Sequence, residues 1–255
     1  MDFTRDAGGV PVRVFESLGS TNEEALARAR AGEAGPLWIT AARQTAGRGR
    51  RGRTWTSEPG NLYASLLVDD PAPAALAPQI CFVASLSLHD AVLDTCAGLA
   101  PARLKLKWPN DLLLDDAKVA GILVEGVTAG SRSAVVVGFG VNCRSHPHDT
   151  AYPATDFTTA NFELSPATLL TRLGITWIAR SREWARGQGF ASIRAAFLAR
   201  VASMGGQIEA RLADCAVTGR FADIDERGAL VLVKPDGTRV AVAAGDIFPL
   251  PAGAA

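Results

Sequence analysis

No C-x-x-C pair, no long apolar run and no surplus of charge occur in this sequence, and each absence closes off a class of protein. The four cysteines, Cys81, Cys96, Cys143 and Cys215, are scattered. That argues against a zinc ribbon or a disulfide framework and fits a reducing compartment. The opening residues, MDFTRDAGG, hold no apolar core, so no secretory signal is expected. The most apolar stretch, residues 77–93, is broken by Ser85, Ser87, His89 and Asp90 and is too polar for a membrane span. A cytoplasmic protein is therefore expected. Twenty-six basic residues balance 26 acidic ones, so no global field draws the chain to nucleic acid or to an anionic membrane. There is no G-x-x-x-x-G-K-[ST] loop and no G-x-S-x-G elbow, which leaves a P-loop enzyme and a serine hydrolase without support.

What is present is an ordinary globular composition, 48% hydrophobic and 20% charged over 255 residues, enough for one good-sized domain and a small one. Val10, Val12 and Val14 alternate as in a strand, and Ser20-Thr21-Asn22-Glu23 has the capping-box form that opens a helix through Ala25, Leu26 and Ala29. Strands are expected over 37–41, 61–68, 104–108 and 133–141, and a hairpin over 111–127 turning at Asp115-Asp116. Helices are expected over 78–96, 165–184 and 190–201. After Gly205-Gly206 the pattern changes to short strands at 207–212, 216–224, 229–233 and 239–243, separated by turns at 225–228 and 234–237. A small β-barrel fits that run, which divides the chain into a domain over 1–205 and a second over 206–255.

Local charge is far from balanced. Arg43, Arg48, Arg50, Arg51 and Arg53 fall close together, and the next acidic residue is Glu58. In QTAGRGRRGRTW (residues 44–55), guanidinium forks on a glycine-rich backbone suit a carboxylate or a phosphate. A solvated basic loop, or one that contacts RNA, suits the same residues. In KWPND (residues 107–111), Lys105 and Lys107 share one face of a strand, and the turn that follows places Asn110 and Asp111 at the strand's mouth. Lys118 follows seven residues past Asp111. Only four lysines occur in the chain, and three lie in this short segment. In GFGVN (residues 138–142), glycines at the end of a buried strand allow close approach of a flat ligand, or of a helix, and Asn142 offers both a donor and an acceptor. His146 and His148 fit exposed loop positions rather than a metal site, and His89 fits the core.

Together, Ser20-Thr21-Asn22, QTAGRGRRGRTW, KWPND, KVAGILVE (residues 118–125) and GFGVN resemble biotin–protein ligases, in that family's order and over nearly the whole chain. Phe139 stands where the family more often has isoleucine. Because few residues precede the first strand, the resemblance is to the monofunctional type without a DNA-binding domain. It implies an α+β fold, a mixed sheet with helices of the class II synthetase kind, followed by a small SH3-like β-barrel.

The resemblance also implies a chemistry: ATP, arriving with Mg2+, activates biotin to biotinyl-5′-AMP, and a lysine of a biotin carboxyl-carrier domain then takes the biotin. Lys118, Arg48 and Asp111 would be catalytic, with Asp111 meeting the incoming amine as base or orienting charge. Ser20, Thr21, Asn22, Gln44, Arg48, Gly49, Arg50, Lys118 and Gly121 would bind biotin, whose polar but uncharged ureido ring suits hydroxyls and amides. Arg50, Arg53, Trp55, Asn110 and Asn142 would bind ATP, and the protein itself would supply no metal cage. No DNA or membrane partner is implied, and the chain would act as a monomer or homodimer. Two rivals remain open: a nucleic-acid-binding module resting on the arginine stretch alone, and a lipoate ligase or octanoyl transferase of the same expected fold.

Overall fold

The computed structural model describes residues 6–129, 132–148, 150, 152–212 and 214–250. Its first part is built on an eight-stranded mixed sheet of order β1-β2-β3-β4-β8-β7-β6-β5. The strands are β1 (Asp6–Ala7), β2 (Val10–Leu18), β3 (Leu37–Gln44), β4 (Leu62–Asp69), β5 (Leu104–Lys107), β6 (Asp111–Leu114), β7 (Ala117–Ala129) and β8 (Arg132–Val141). Among the described strands of this sheet, β2 and β3 are the pair that runs parallel, and helix α1 (Thr21–Arg30) makes the crossover that parallel pairing needs. The β6–β7 hairpin turns at Asp115 and Asp116, which take φ of 50° and 63°, a conformation that aspartate tolerates.

Both faces of this sheet are covered, which explains why β8 reads as an unbroken apolar run. Val135 and Val137 belong to the core beneath helices α2 (Gln79–Thr95), α3 (Pro166–Trp184) and α4 (Phe190–Leu198). Ala134 and Val136 face the opposite way, packing with Ala25, Leu26 and Ala29 of α1. A single helix thus covers one face while three cover the other. No helix among the described residues is long and apolar enough to cross a membrane.

One expectation fails at the start of α1. Ser20 stands at the N-cap with extended backbone, but its side chain makes no capping hydrogen bond, so the capping box does not form. The amide of Thr21 donates instead to Gln44 Oε1 at 2.8 Å. A residue 23 positions away, on β3, thus does the work that the local motif suggested, because β3 runs beside the helix start.

The second sheet contains β9 (Gln207–Arg211), β10 (Ala216–Ile224), β11 (Leu230–Val233), β12 (Arg239–Val242) and β13 (Asp246–Pro249), in the order β12-β11-β10-β9-β13. Strand β13 was not legible in the sequence: it spans four residues, ends on a proline and has no alternating pattern. Among the described residues, β12 and β13 are the two ends of the order and do not pair, so the antiparallel sheet is SH3-like in composition without a detected closure.

Apolar burial joins the two sheets. Ile208, Phe221, Leu230 and Leu232 belong to the same cluster as the helices α2 to α4. Trp108 Nε1 donates to Gly228 O at 3.2 Å, and Gln79 Nε2 donates to Glu226 O at 3.1 Å. Phe82 lies between them, 2% exposed, edge-on to Phe190 at 5.5 Å and to Phe197 at 4.8 Å. Phe82→Ala leaves a cavity at this junction and is expected to cost about 3–5 kcal/mol in urea unfolding. A midpoint shift equivalent to less than about 1 kcal/mol would mean that the junction collapses freely around the gap.

Candidate active site

A cavity of about 460 Å³ opens on the α1 face, where the start of α1, the ends of β3 and β8, the β6–β7 hairpin and the arginine segment meet. Its floor depends on glycine. A Cβ on Gly138 would stand 2.1 Å from Asn22 Oδ1, and one on Gly140 would stand 2.6 Å from Trp55 Cε2. Only hydrogen at these positions lets the amide and the indole lie against the sheet.

One wall is polar and uncharged. Ser20, Thr21 and Asn22 are each 4% exposed and line the cavity from the first turn of α1. Gln44 serves the Thr21 amide and approaches its hydroxyl at 3.1 Å, and its own Nε2 donates to Ser57 Oγ at 2.9 Å. Ser65 Oγ, fully buried on β4, sits 2.8 Å from Thr21 Oγ1 and 2.5 Å from Asn22 Oδ1. Asn22 Nδ2 donates to Leu123 O at 3.3 Å and to Glu125 Oε2 at 2.8 Å.

The opposite side is cationic. Residues 47–55 form a small hairpin: Arg48 bridges Thr54, Gly49 N donates to Arg53 O at 2.7 Å, and Trp55 N donates to Gly47 O at 2.9 Å. Arg51, at φ 57°, takes the left-handed turn at its tip. Arg50 Nη1 donates to Asn110 Oδ1 at 3.0 Å and to Gly245 O at 3.2 Å. Asp246 receives the hairpin's charge: Arg53 contacts it at 2.9 Å, Arg50 at 3.6 Å and Arg51 at 3.7 Å. Lys118 Nζ lies 2.6 Å from Asp111 Oδ1 and 5.5 Å from the Trp55 ring. Arg48 turns the other way, towards Glu125 at 3.2 Å and Glu23 at 3.2 Å.

All the site residues expected from the sequence therefore converge on one cavity, with Ser20, Asn22, Gln44, Gly49, Arg53, Gly121 and Asn142 on its lining. Asn110 and Asn142 also have structural partners: the Asn110 amide donates to Ile122 O at 2.7 Å and that of Asn142 to Thr155 O at 3.0 Å. The sequence alone did not single out Ser65, Glu125, Tyr152 or Asp246. Glu125 lies inside KVAGILVE but carries no local signal, and Asp246 reaches the cavity only because the second sheet docks beside it.

A model of the biotin/lipoate A/B protein ligase family matches residues 14–142, slightly more than half of the sequence. The chain belongs to that family. A biotin protein ligase C-terminal domain model matches residues 204–248 as well. A biotin–(acetyl-CoA-carboxylase) ligase of Paracoccus denitrificans is 41% identical over 236 residues, covering 90% of this chain and 96% of the relative. A biotin protein ligase from Aquifex aeolicus, in complex with biotin and ATP, has the same fold with a TM-score of 0.77 at 23% identity, covering 94% of this chain and 98% of that one. A ligase of Leishmania major, in complex with biotinyl-5-AMP, has a TM-score of 0.65 at 26% identity, covering 91% and 98%. Most of the cavity's lining falls within residues 14–142, and Asp246 comes from the segment 204–248.

Lys107 lies beneath the cavity, 8% exposed, with its ammonium 3.7 Å from the Tyr152 ring centroid. Tyr152 stacks on Phe248 of β13 at 4.8 Å, and the Arg211 guanidinium caps the far side of Phe248 at 3.9 Å. This layered stack ties KWPND to the second sheet. Burial lowers the Lys107 pKa to about 8, and Lys118 pushes the same way while Asp111 opposes it. Between pH 8 and the ordinary lysine value of 10.5 the unfolded chain binds the proton that the folded chain has released, so raising the pH through this window stabilises the fold. The buried thiols of Cys81, Cys96 and Cys143, whose pKa values are raised, act in the opposite sense, but they are common to wild type and a Lys107→Met variant. The difference in unfolding free energy between the two proteins is expected to climb in favour of wild type from pH 8 towards pH 10. A flat difference would place the Lys107 pKa at its ordinary value.

Proposed function

We propose that this chain activates biotin with ATP, forming biotinyl-5′-AMP, and passes the biotin to a lysine of a biotin carboxyl-carrier domain. The observation that carries this reading is one cavity with two chemically opposite ends. A neutral polar wall (Ser20, Thr21, Asn22, Gln44) stands across from a cationic end (Arg50, Arg53, Lys118). A bicyclic urea with a carboxylate tail matches that polarity: hydroxyls and amides pair with the urea, and cations meet the carboxylate. The names and bound ligands of the relatives agree with it.

In the first step a biotin carboxylate oxygen attacks the α-phosphorus of ATP, a P–O bond forms, and pyrophosphate leaves. Two anions must be brought together, so cations that lower their repulsion matter most. Lys118 is assigned to the carboxylate, and Arg50 and Arg53 to the phosphates. In the second step a carrier lysine nitrogen attacks the acyl carbon, an amide forms and AMP leaves. Asp111, which holds Lys118 at 2.6 Å, is assigned to the amine as base or orienting charge. Mg2+ is assigned to enter with the nucleotide and to keep several of its waters. Trp55, Asn110 and Asn142 are assigned to the nucleotide, and Gly49 and Gly121 to close backbone approach around biotin.

Incubation with ATP, labelled biotin and a carrier domain tests the whole reading. Label on the carrier lysine with stoichiometric AMP is expected, whereas transfer of lipoate or octanoate in place of biotin would overturn the assignment. Lys118→Ala is expected to weaken biotin activation by about 10- to 100-fold at limiting biotin, the range for one lost charge-assisted hydrogen bond. Unchanged pyrophosphate release would remove Lys118 from the site.

A further inference from the structure

We infer that Glu125 is a positioning residue that clasps the arginine hairpin to the wall of the cavity through Arg48 and, with the same carboxylate, orients the Asn22 amide. The inference rests on the proposed biotin-activating reaction for its consequence, and on the geometry alone for the clasp.

The four arginines of the hairpin divide into two sets. Arg50, Arg51 and Arg53 reach outward to Asp246 of the second sheet. Arg48 alone points to the wall formed by α1 and β7, where Nη2 lies 3.2 Å from both oxygens of Glu125 and Nη1 lies 3.2 Å from Glu23 Oε1. Its position at the foot of the hairpin matters, because Arg48 is the residue that bridges Thr54. Fixing Arg48 therefore fixes the platform that carries Arg50, Arg53 and Trp55.

The other half of the clasp is Asn22. Its Oδ1 faces the Ser65 hydroxyl, and its two Nδ2 hydrogens are taken by Leu123 O and Glu125 Oε2. With both ends assigned, the amide cannot turn over without burying a mismatched donor or acceptor. The Glu125 carboxylate touches α1 through Asn22 and the hairpin through Arg48, and Glu125 itself lies in the β7–β8 ladder opposite Val136. An isolated, partly exposed ion pair contributes little. Here two guanidinium contacts and an amide hydrogen bond share one carboxylate, so its removal weakens the hold on two elements at once, leaving Arg48 to Glu23 and Asn22 to Ser65 and Leu123.

Glu125 reaches the reaction through these neighbours rather than by touching the reactants. A mixed anhydride formed in the cavity is exposed to water whenever the hairpin swings away from Glu125, and it is then lost as free biotin and AMP.

The test compares Glu125→Gln, Glu125→Asp and Glu125→Ala with wild type in two measurements: AMP release with biotin but no carrier, and trypsin cleavage after Arg50, Arg51 and Arg53 in the ligand-free protein. Gln keeps an acceptor for Asn22 but loses the negative charge that faces Arg48. It is expected to raise carrier-independent AMP release by about tenfold with little change in the biotin KM, matching one charge-assisted contact. Ala is expected to raise the biotin KM as well, and Asp to recover part of both. In an Arg48→Met background, Glu125→Gln is expected to add nothing to AMP release. Wild-type leakage in Glu125→Gln, or a fall in thermal stability that accounts for every change in parallel, would overturn the clasp. A wild-type protein inactive towards biotin would sink the proposed function instead, while trypsin sensitivity of the hairpin would still decide the clasp: increased nicking in Glu125→Gln supports it, and unchanged nicking refutes it.

Discussion

Four cationic side chains, Arg48, Arg50, Arg53 and Lys118, line one cavity, and the carboxylates that hold them there come from separate parts of the chain. Like charges gathered this closely repel one another, and partial burial strengthens that repulsion relative to water. Asp246 offsets Arg50, Arg51 and Arg53 from the second sheet, Glu125 and Glu23 offset Arg48 from β7 and α1, and Asp111 offsets Lys118 within the β6–β7 hairpin. These anions preorganise the cations, fixing their directions before any ligand arrives.

Distributing the counter-charges in this way makes the cavity depend on the whole molecule. Asp246 stands in place only while the second sheet is docked, and docking depends on apolar and aromatic contacts on both sides of the junction, one of which, Tyr152, also lines the cavity. Phe82 and Trp108 supply these on one side, and the Lys107–Tyr152–Phe248–Arg211 stack supplies them on another. The main sheet provides the rigid reference. With α1 on one face and three helices on the other, its central strands are buried on both sides, and Gly138 and Gly140 leave a shallow space on the α1 face that a side chain would fill. The neutral wall stands at the first turn of α1 and the end of β3, and the cationic end is carried by the arginine hairpin together with the β6–β7 hairpin.

Most elements were legible because their signals are local. The alternation of Val10, Val12 and Val14, the helix over 78–96 with apolar residues on every side and the Asp115-Asp116 turn each report a nearest-neighbour constraint. The failures share the opposite cause. Ser20-Thr21-Asn22-Glu23 has the form of a capping box, yet Gln44 takes the Thr21 amide and Glu23 turns to Arg48. Strand β13 exists because β9 offers it an edge, not because Asp246–Pro249 favours extended structure by itself. Glu125 is one acidic residue among 26 acidic residues until β7 sets it beside Asn22 and Arg48.

The sequence by itself determined the chemistry on offer: a run of arginines among glycines, three clustered lysines, neutral polar residues at a helix start, and the order in which they occur. Those are properties of residue type and short spacing, and they pointed to an anionic ligand; the neutral polar group beside it was implied by the resemblance to biotin–protein ligases. Only the tertiary structure decided which anion answers each cation, since Arg48 and Arg50, two residues apart, face opposite sides of the cavity. The physical reason is that pairing between charges falls off over a few ångströms and is indifferent to separation along the chain. Glu125 lies 77 residues from Arg48, and Gly245 lies 195 residues from Arg50; the fold alone brings them within reach.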